Sequence, residues 1–137
     1  MNYWLVKSEP DAWSWQQQVA AGAKGEAWTG VRNHAAKLNL MRMKKGDQAF
    51  YYHSNEGKEI VGIVEVVREH YPDPTDKTGK FVCVDVRALK ALPKPVTLAT
   101  LKADPRFAEM ALIKLSRLSV QPVTAAEWKA ICKMAGL

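Results

Sequence analysis

The chain has 137 residues, with 20 Lys plus Arg against 14 Asp plus Glu for a formal charge of +6, and is 47% hydrophobic. This is the make-up of one globular domain over residues 1–137, and it excludes a disordered tail, a collagen-like fibre and a coiled coil. No apolar run approaches the ~18 residues of a membrane-spanning helix, and Met1–Lys7 lacks a signal peptide's pattern, so a cytoplasmic protein with no membrane partner is expected.

In chain order, a strand is expected at Tyr3–Lys7. Ser8-Glu9-Pro10-Asp11 reads as a capping box with Pro10 in the first turn, opening a helix from Pro10 to Ala20 that Gly22 ends. Gly25–Gly30 is loop or short strand, and a second helix runs from Val31 to Met43, stopped by Lys45-Gly46-Asp47. Strands follow at Ala49–Ser54, Ile60–Arg68 and Phe81–Leu89, the last alternating so that Val82, Val84 and Val86 share a face. Tyr71–Lys80 between them is a Pro/Asp/Gly loop, expected to be mobile with Asp73 and Asp76 solvated. Short helices over Thr97–Lys102 and from Asp104-Pro105 onward lead to a returning strand at Arg117–Gln121. Thr124–Glu127 is another capping box and opens a terminal helix ending at Gly136. The order predicts an α+β fold: a curved mixed or antiparallel sheet, closing into a barrel, flanked by short helices.

Catalytic signals are absent. His34, His53 and His70 lack i, i+4 spacing and have no neighbouring Cys, so no metal site is expected. No G-x-S-x-G, P-loop or G-x-G-x-x-G occurs, and no cofactor is expected. His53 and Ser54 are adjacent in a strand and point to opposite faces, which does not suit a base–nucleophile pair. Cys83 and Cys132 have no C-x-x-C partner; they are read as free thiols, with a disulfide between them left open.

Charge and aromatics carry the positive signal. Residues 1–50 hold seven basic and four acidic groups, residues 101–137 six and three, and the middle seven of each, so the excess sits at the two ends. The densest basic run is Lys37, Arg42, Lys44 and Lys45, which fits a solvated helix face or a phosphate-contacting one. Five tryptophans are many for this length. Trp4 and Trp128 fit a core. Trp13 and Trp15 cannot share a helix face, so one packs inward and the other lies over a groove. Trp28 is followed by Thr29-Gly30-Val31-Arg32-Asn33, at a helix N-terminus where backbone N–H groups are free to donate. A ring beside free donors, an Arg and an Asn is the composition of a base pocket.

Several linked segments resemble one family. Tyr3-Trp4-Leu5-Val6-Lys7-Ser8-Glu9-Pro10, Trp28–Asn33, Met43–Asp47 with Phe50–Ser54, Val61–Val67 with Tyr71-Pro72-Asp73, and Arg117–Val123 ahead of Glu127-Trp128 are together similar to the EVE domain. The likeness runs through essentially the whole chain; the loop Pro74–Lys80 is shorter than is usual in the family. It implies a PUA-like fold, kinship with YTH domains, and recognition of a modified base, notably a modified cytosine in DNA. It also puts Lys7, Ser8 and Trp28 where the related fold has its pocket.

The mechanism expected from these residues is a non-catalytic reader of DNA or RNA. A flipped or single-stranded base stacks on Trp28, with Tyr52 or His53 as the opposite wall. Ser8, Asn33 and nearby backbone N–H groups read its edge, with Val31 and Ser54 completing the pocket. Phosphates fall to Arg32, Lys37, Arg42, Lys44 and Lys45. Stacking contributes roughly 1–3 kcal/mol and extrusion costs a few kcal/mol, so edge and phosphate contacts must supply the net affinity. On this reading Trp28→Ala abolishes binding and leaves unfolding nearly unchanged. The alternatives are an RNA- or nucleotide-processing enzyme with His53 or Glu9 as base, and a protein-interaction module anchored by the aromatics. The modification read and the oligomeric state stay open.

Overall fold

Alternation in β1 (Tyr3–Ser8) sends Trp4 and Val6 to one face of a sheet and Leu5 to the other, and all three are buried. In the computed structural model, which describes residues 1–137, the sheet is therefore covered on both sides. Trp4, Val6, Tyr51, Val64, Val84 and Val86 belong to one apolar cluster; Leu5, Phe50, Tyr52, Ile60 and Ile63 belong to the other. Helices α1 (Trp15–Ala20) and α2 (His34–Arg42) close the first cluster through Trp15, Ala36 and Leu40. The second is closed by α3 (Leu98–Ala103), α4 (Ala111–Lys114) and α5 (Ala125–Met134), through Leu101, Leu112 and Trp128.

The remaining strands are β2 (Glu26–Ala27), β3 (Gln48–His53), β4 (Glu59–Pro72), β5 (Val82–Thr97) and β6 (Val120–Val123). All six form one sheet in the order β2-β5-β4-β3-β1-β6. Only the β1–β3 pair is parallel, so the sheet is mixed, as the α+β reading expects. The β4–β5 hairpin shifts register at four places, and each bulge bends and twists the ribbon. One of them lies between the pairs Gly62–Ala91 and Ile60–Val96. The extra residues include Pro93 and Pro95, which have no N–H to give to a ladder.

Several elements differ from expectation. The first helix begins at Trp15, not Pro10, because Ser14 and Gln17 form the capping box. Residues 9–13 instead make a tight turn, with the N–H groups of Ala12 and Trp13 donating to the Glu9 carbonyl. The second helix begins at His34 because the Asn33 side chain caps it. Strands β4 and β5 run on through Tyr71-Pro72 and past Leu89, and α4 is an added turn of helix. Both cysteines are free thiols. No helix is long and apolar enough to cross a membrane.

One packing detail fixes where α1 sits. A Cβ on Gly62 would lie 2.4–2.5 Å from ring atoms of Trp15, so the indole rests directly on the β4 backbone. Only glycine permits that approach.

Candidate functional site

A cleft of about 500 Å³ opens at the C-terminal end of β1, lined by Lys7, Ser8, Glu9, Ala12, Trp13, Glu26, Ala27, Trp28, Thr29, Gly30, Val31, Arg32 and Ser119. Strand β1 brings Lys7 and Ser8 to it. The turn at residues 9–13 brings Trp13, and the segment after β2 brings Trp28 to Arg32. That segment leaves the sheet because Gly25 and Gly30 adopt left-handed backbone, φ +78° and +87°. At Gly25 a Cβ would also meet the Val86 carbonyl oxygen at 2.5 Å, so the chain can enter β2 only with glycine there.

Trp28 is both wall and core. It is 8% exposed, belongs to the first apolar cluster, and meets Tyr51 edge to face with centroids 5.5 Å apart. Trp15 meets the same Tyr51 ring at 5.4 Å. The Tyr51 hydroxyl and the Ser8 hydroxyl both donate to the Trp13 carbonyl, Ser8 at 2.7 Å. Burial pushes the Tyr51 phenol up to about 12. Trp13 is half-buried, and its indole N–H donates to Gln18 Oε1 at 2.8 Å. The two tryptophans near α1 therefore divide as expected, Trp15 inward and Trp13 on the cleft. Burial also lowers the pKa of Lys7, whose ammonium donates to the Ser116 carbonyl at 2.8 Å.

The outer wall is held by one carboxylate. Asp73 has a side chain 0% exposed and accepts from the Gly30 N–H at 2.9 Å, from Arg32 Nη1 at 3.0 Å, and from the Thr75 N–H and hydroxyl at 2.7 and 2.6 Å. Burial alone would raise its pKa, but the bonds from Thr75, Gly30 and Arg32 outweigh that and hold it below the usual carboxylate range. Asp76 ties the rest of the loop, accepting from Thr78, Lys80 and Phe81. The solvated Asp73 expected from sequence is thus a buried hub. The available signal was the Asp-Pro-Thr order, an Asx-turn pattern.

Of the predicted pocket residues, the structure brings Lys7, Ser8, Trp28, Val31 and Arg32 together on the cleft. Asn33 is not among them, because its Oδ1 is spent on the Ala36 N–H at the start of α2. Tyr52 lies in the second apolar cluster, on the opposite face from Trp28 and Tyr51, since neighbouring strand residues alternate. His53 stands beside Tyr51, but its Nε2 accepts the Trp15 N–H at 3.2 Å. Burial lowers its pKa, with Glu59 opposing. Neither His53 nor Ser54 lines the cleft. Trp28 is not at the helix start either. Its own N–H donates to the Val84 carbonyl at 2.7 Å, and the N–H groups of Thr29, Val31 and Arg32 in the same segment meet no acceptor in the chain.

The predicted phosphate-contacting residues separate into two groups. Arg32 and Lys37 lie at the cleft end of α2. Arg42 and Lys44 line a different cavity with Asn2 and Tyr3, at the far end of β1 from the cleft, a strand length of about 17 Å, although along α2 Arg42 lies only five residues, about 7.5 Å, beyond Lys37. Lys44 is there paired with Glu69 at 3.9 Å, and the Lys45 N–H donates to the same carboxylate. No group of three or more His, Cys, Asp or Glu side chains is placed to hold a metal ion.

A family model described as EVE domain matches residues 2–134. The structure of Rpa0253 from Rhodopseudomonas palustris is 72% identical, with a TM-score of 0.94 over 99% of this chain and 94% of that one. The crystal structure of human THYN1 protein in complex with 5-methylcytosine containing DNA is 30% identical, with a TM-score of 0.91 over 100% of this chain and 99% of that one. The YTH domain of Zygosaccharomyces rouxii MRB1 protein, in complex with N6-methyladenosine RNA, is 19% identical with a TM-score of 0.59, covering 98% of this chain and 86% of that one. That last likeness is one of fold alone.

Proposed function

We propose, from the premise that this chain belongs to the EVE domain family, that it is a non-catalytic reader of a modified base in nucleic acid. The observation that carries this reading is the cleft itself. It joins an indole wall, Trp28, to backbone N–H groups of Thr29, Val31 and Arg32 that have no partner in the chain. A base has a π-face for the first and acceptor atoms at its edge for the second. Lys7 and Arg32 add positive charge at the rim, and Val31 adds an apolar surface against which a methyl group gains on the order of 1 kcal/mol. The DNA in the crystal structure of human THYN1 protein, which shares the fold over the whole chain, makes modified cytosine in DNA the first ligand to try.

Catalysis finds less support. His53, one of two bases the sequence offers, is occupied by the Trp15 N–H outside the cleft. Glu9, the other, lines the cleft together with Glu26.

The test is a titration of tryptophan fluorescence with short oligonucleotides carrying cytosine, 5-methylcytosine, adenine or N6-methyladenine, as DNA and as RNA. One modified oligonucleotide is expected to bind roughly tenfold more tightly than its parent. Because Trp28 is also core, Trp28→Phe replaces the alanine variant. It keeps a ring against Tyr51 but shrinks the stacking face, and it should cut the preference severalfold while the protein stays folded. Equal binding of every modified and unmodified pair overturns the proposal.

A further inference from the structure

The geometry points to a phosphate-binding surface formed by Arg32, His34 and Lys37 around the ring of Phe81, which holds the backbone flanking the base in the cleft. It deepens the base-reading proposal and rests on it for the position of that base.

Phe81 ends the loop tied by Asp73 and Asp76. The Arg32 guanidinium carbon lies 5.6 Å from its ring centroid and Lys37 Nζ 5.9 Å. The His34 ring stands 5.3 Å away at 33°. Cations within about 6 Å of an aromatic face are attracted to it, so the ring gathers side chains that would otherwise spread into water. Arg32 connects this cluster to the cleft, which it also lines. Its charge is balanced by Asp73, while neither Lys37 nor His34 has an acidic partner. The surface therefore presents uncompensated positive charge immediately beside the pocket.

The rest of the basic run, beyond Lys37, is badly placed for that task. Arg42 and Lys44 stand at the opposite end of β1 from the cleft, a strand length of about 17 Å. At about 3.4 Å of axis per phosphate on one strand, that is about five nucleotides from the base being read. Glu69 also compensates part of its charge.

The experiment compares Lys37→Gln with the double variant Lys44→Gln/Lys45→Gln, and adds Phe81→Leu, which removes the ring but no charge. Affinity for a modified oligonucleotide and its unmodified parent is measured between 50 and 200 mM salt. Each lost phosphate contact should lower the slope of log K against log salt by about 0.9. Lys37→Gln is expected to do so for both oligonucleotides, with their affinity ratio unchanged. Phe81→Leu should weaken both by a smaller factor, and the distant double variant should leave the slope as it was. A slope lowered by the double variant and not by Lys37→Gln overturns the inference, as does an equal loss in both. Failure of base reading shows separately, as a wild-type affinity ratio of one. Absence of any oligonucleotide binding at low salt overturns both proposals.

Discussion

The two faces of the sheet use aromatic residues in opposite ways. On the closed face Trp128 is sandwiched between Phe50, 3.9 Å away at 20°, and Tyr3, 4.4 Å away at 19°. Three near-parallel rings cover one another, and α5 seals the stack. On the cleft face Trp15 and Trp28 meet Tyr51 at 66° and 87°. An edge contact leaves ring face free of the partner ring, and Trp28, though only 8% exposed, borders the cleft from the irregular segment that follows β2. The difference shows that aromatic content decides neither core nor site. Stacking geometry and position beside the cleft decide it, since Trp28 and Trp128 are buried alike.

That contrast can be broken most severely from the closed face. Trp128→Ala removes the middle of the stack and should cost about 3–5 kcal/mol of stability, read from urea unfolding. Affinity per folded molecule should not change. A loss of affinity after correction for the folded fraction would show that the faces are coupled.

Asp73→Asn tests the cleft face with a smaller structural cost, roughly 1–3 kcal/mol for a compromised buried hydrogen-bond hub. Its binding signature should be divergent. Freed from its counter-ion, Arg32 should raise affinity for unmodified oligonucleotides. The loosened Gly30 anchor should lower the preference for the modified one. A parallel fall in both would reduce Asp73 to general scaffolding.

The smallest effect is a pH dependence. His53 has its pKa lowered by burial and is held neutral by the Trp15 N–H. The unfolded chain binds this proton more readily, so the contribution to stability is complete above the ordinary value of about 6.5 and declines as pH falls below it. The urea midpoint should drop between pH 7.5 and 5.5, and His53→Gln should flatten that drop. Asp73, also lowered, acts in the same direction but only below about pH 4. An unchanged midpoint in wild type would mean that the Trp15–His53 bond contributes nothing to anchoring α1.

Much of this was legible beforehand. Alternation in Tyr3–Lys7 and Phe81–Leu89 located buried strands, and the Thr124–Glu127 box located the start of α5 to the residue. The division of Trp13 from Trp15 was expected from helical spacing, but the turn at residues 9–13, ahead of α1, produces it. What escaped reading was of one kind, the long-range capture of polar groups. Ser8 and Asp11 fit a capping box as well as Ser14 and Gln17 do, and only the turn onto the Glu9 carbonyl decides between them. Asn33 suits a base edge or a helix cap, and it is spent on the cap. Tyr52 and His53 are adjacent to the right residues along the chain, yet strand alternation and the Trp15 N–H take them out of the cleft.

The sequence by itself determined the class of fold and the one tryptophan set in a glycine-rich turn, because periodicity and turn chemistry act over a few residues. Only the tertiary structure decided which donors remain free and which charges stand beside them. Gly30 and Asp73 are 43 positions apart, and whether a polar group is available to a ligand depends on partners that arrive from such distances.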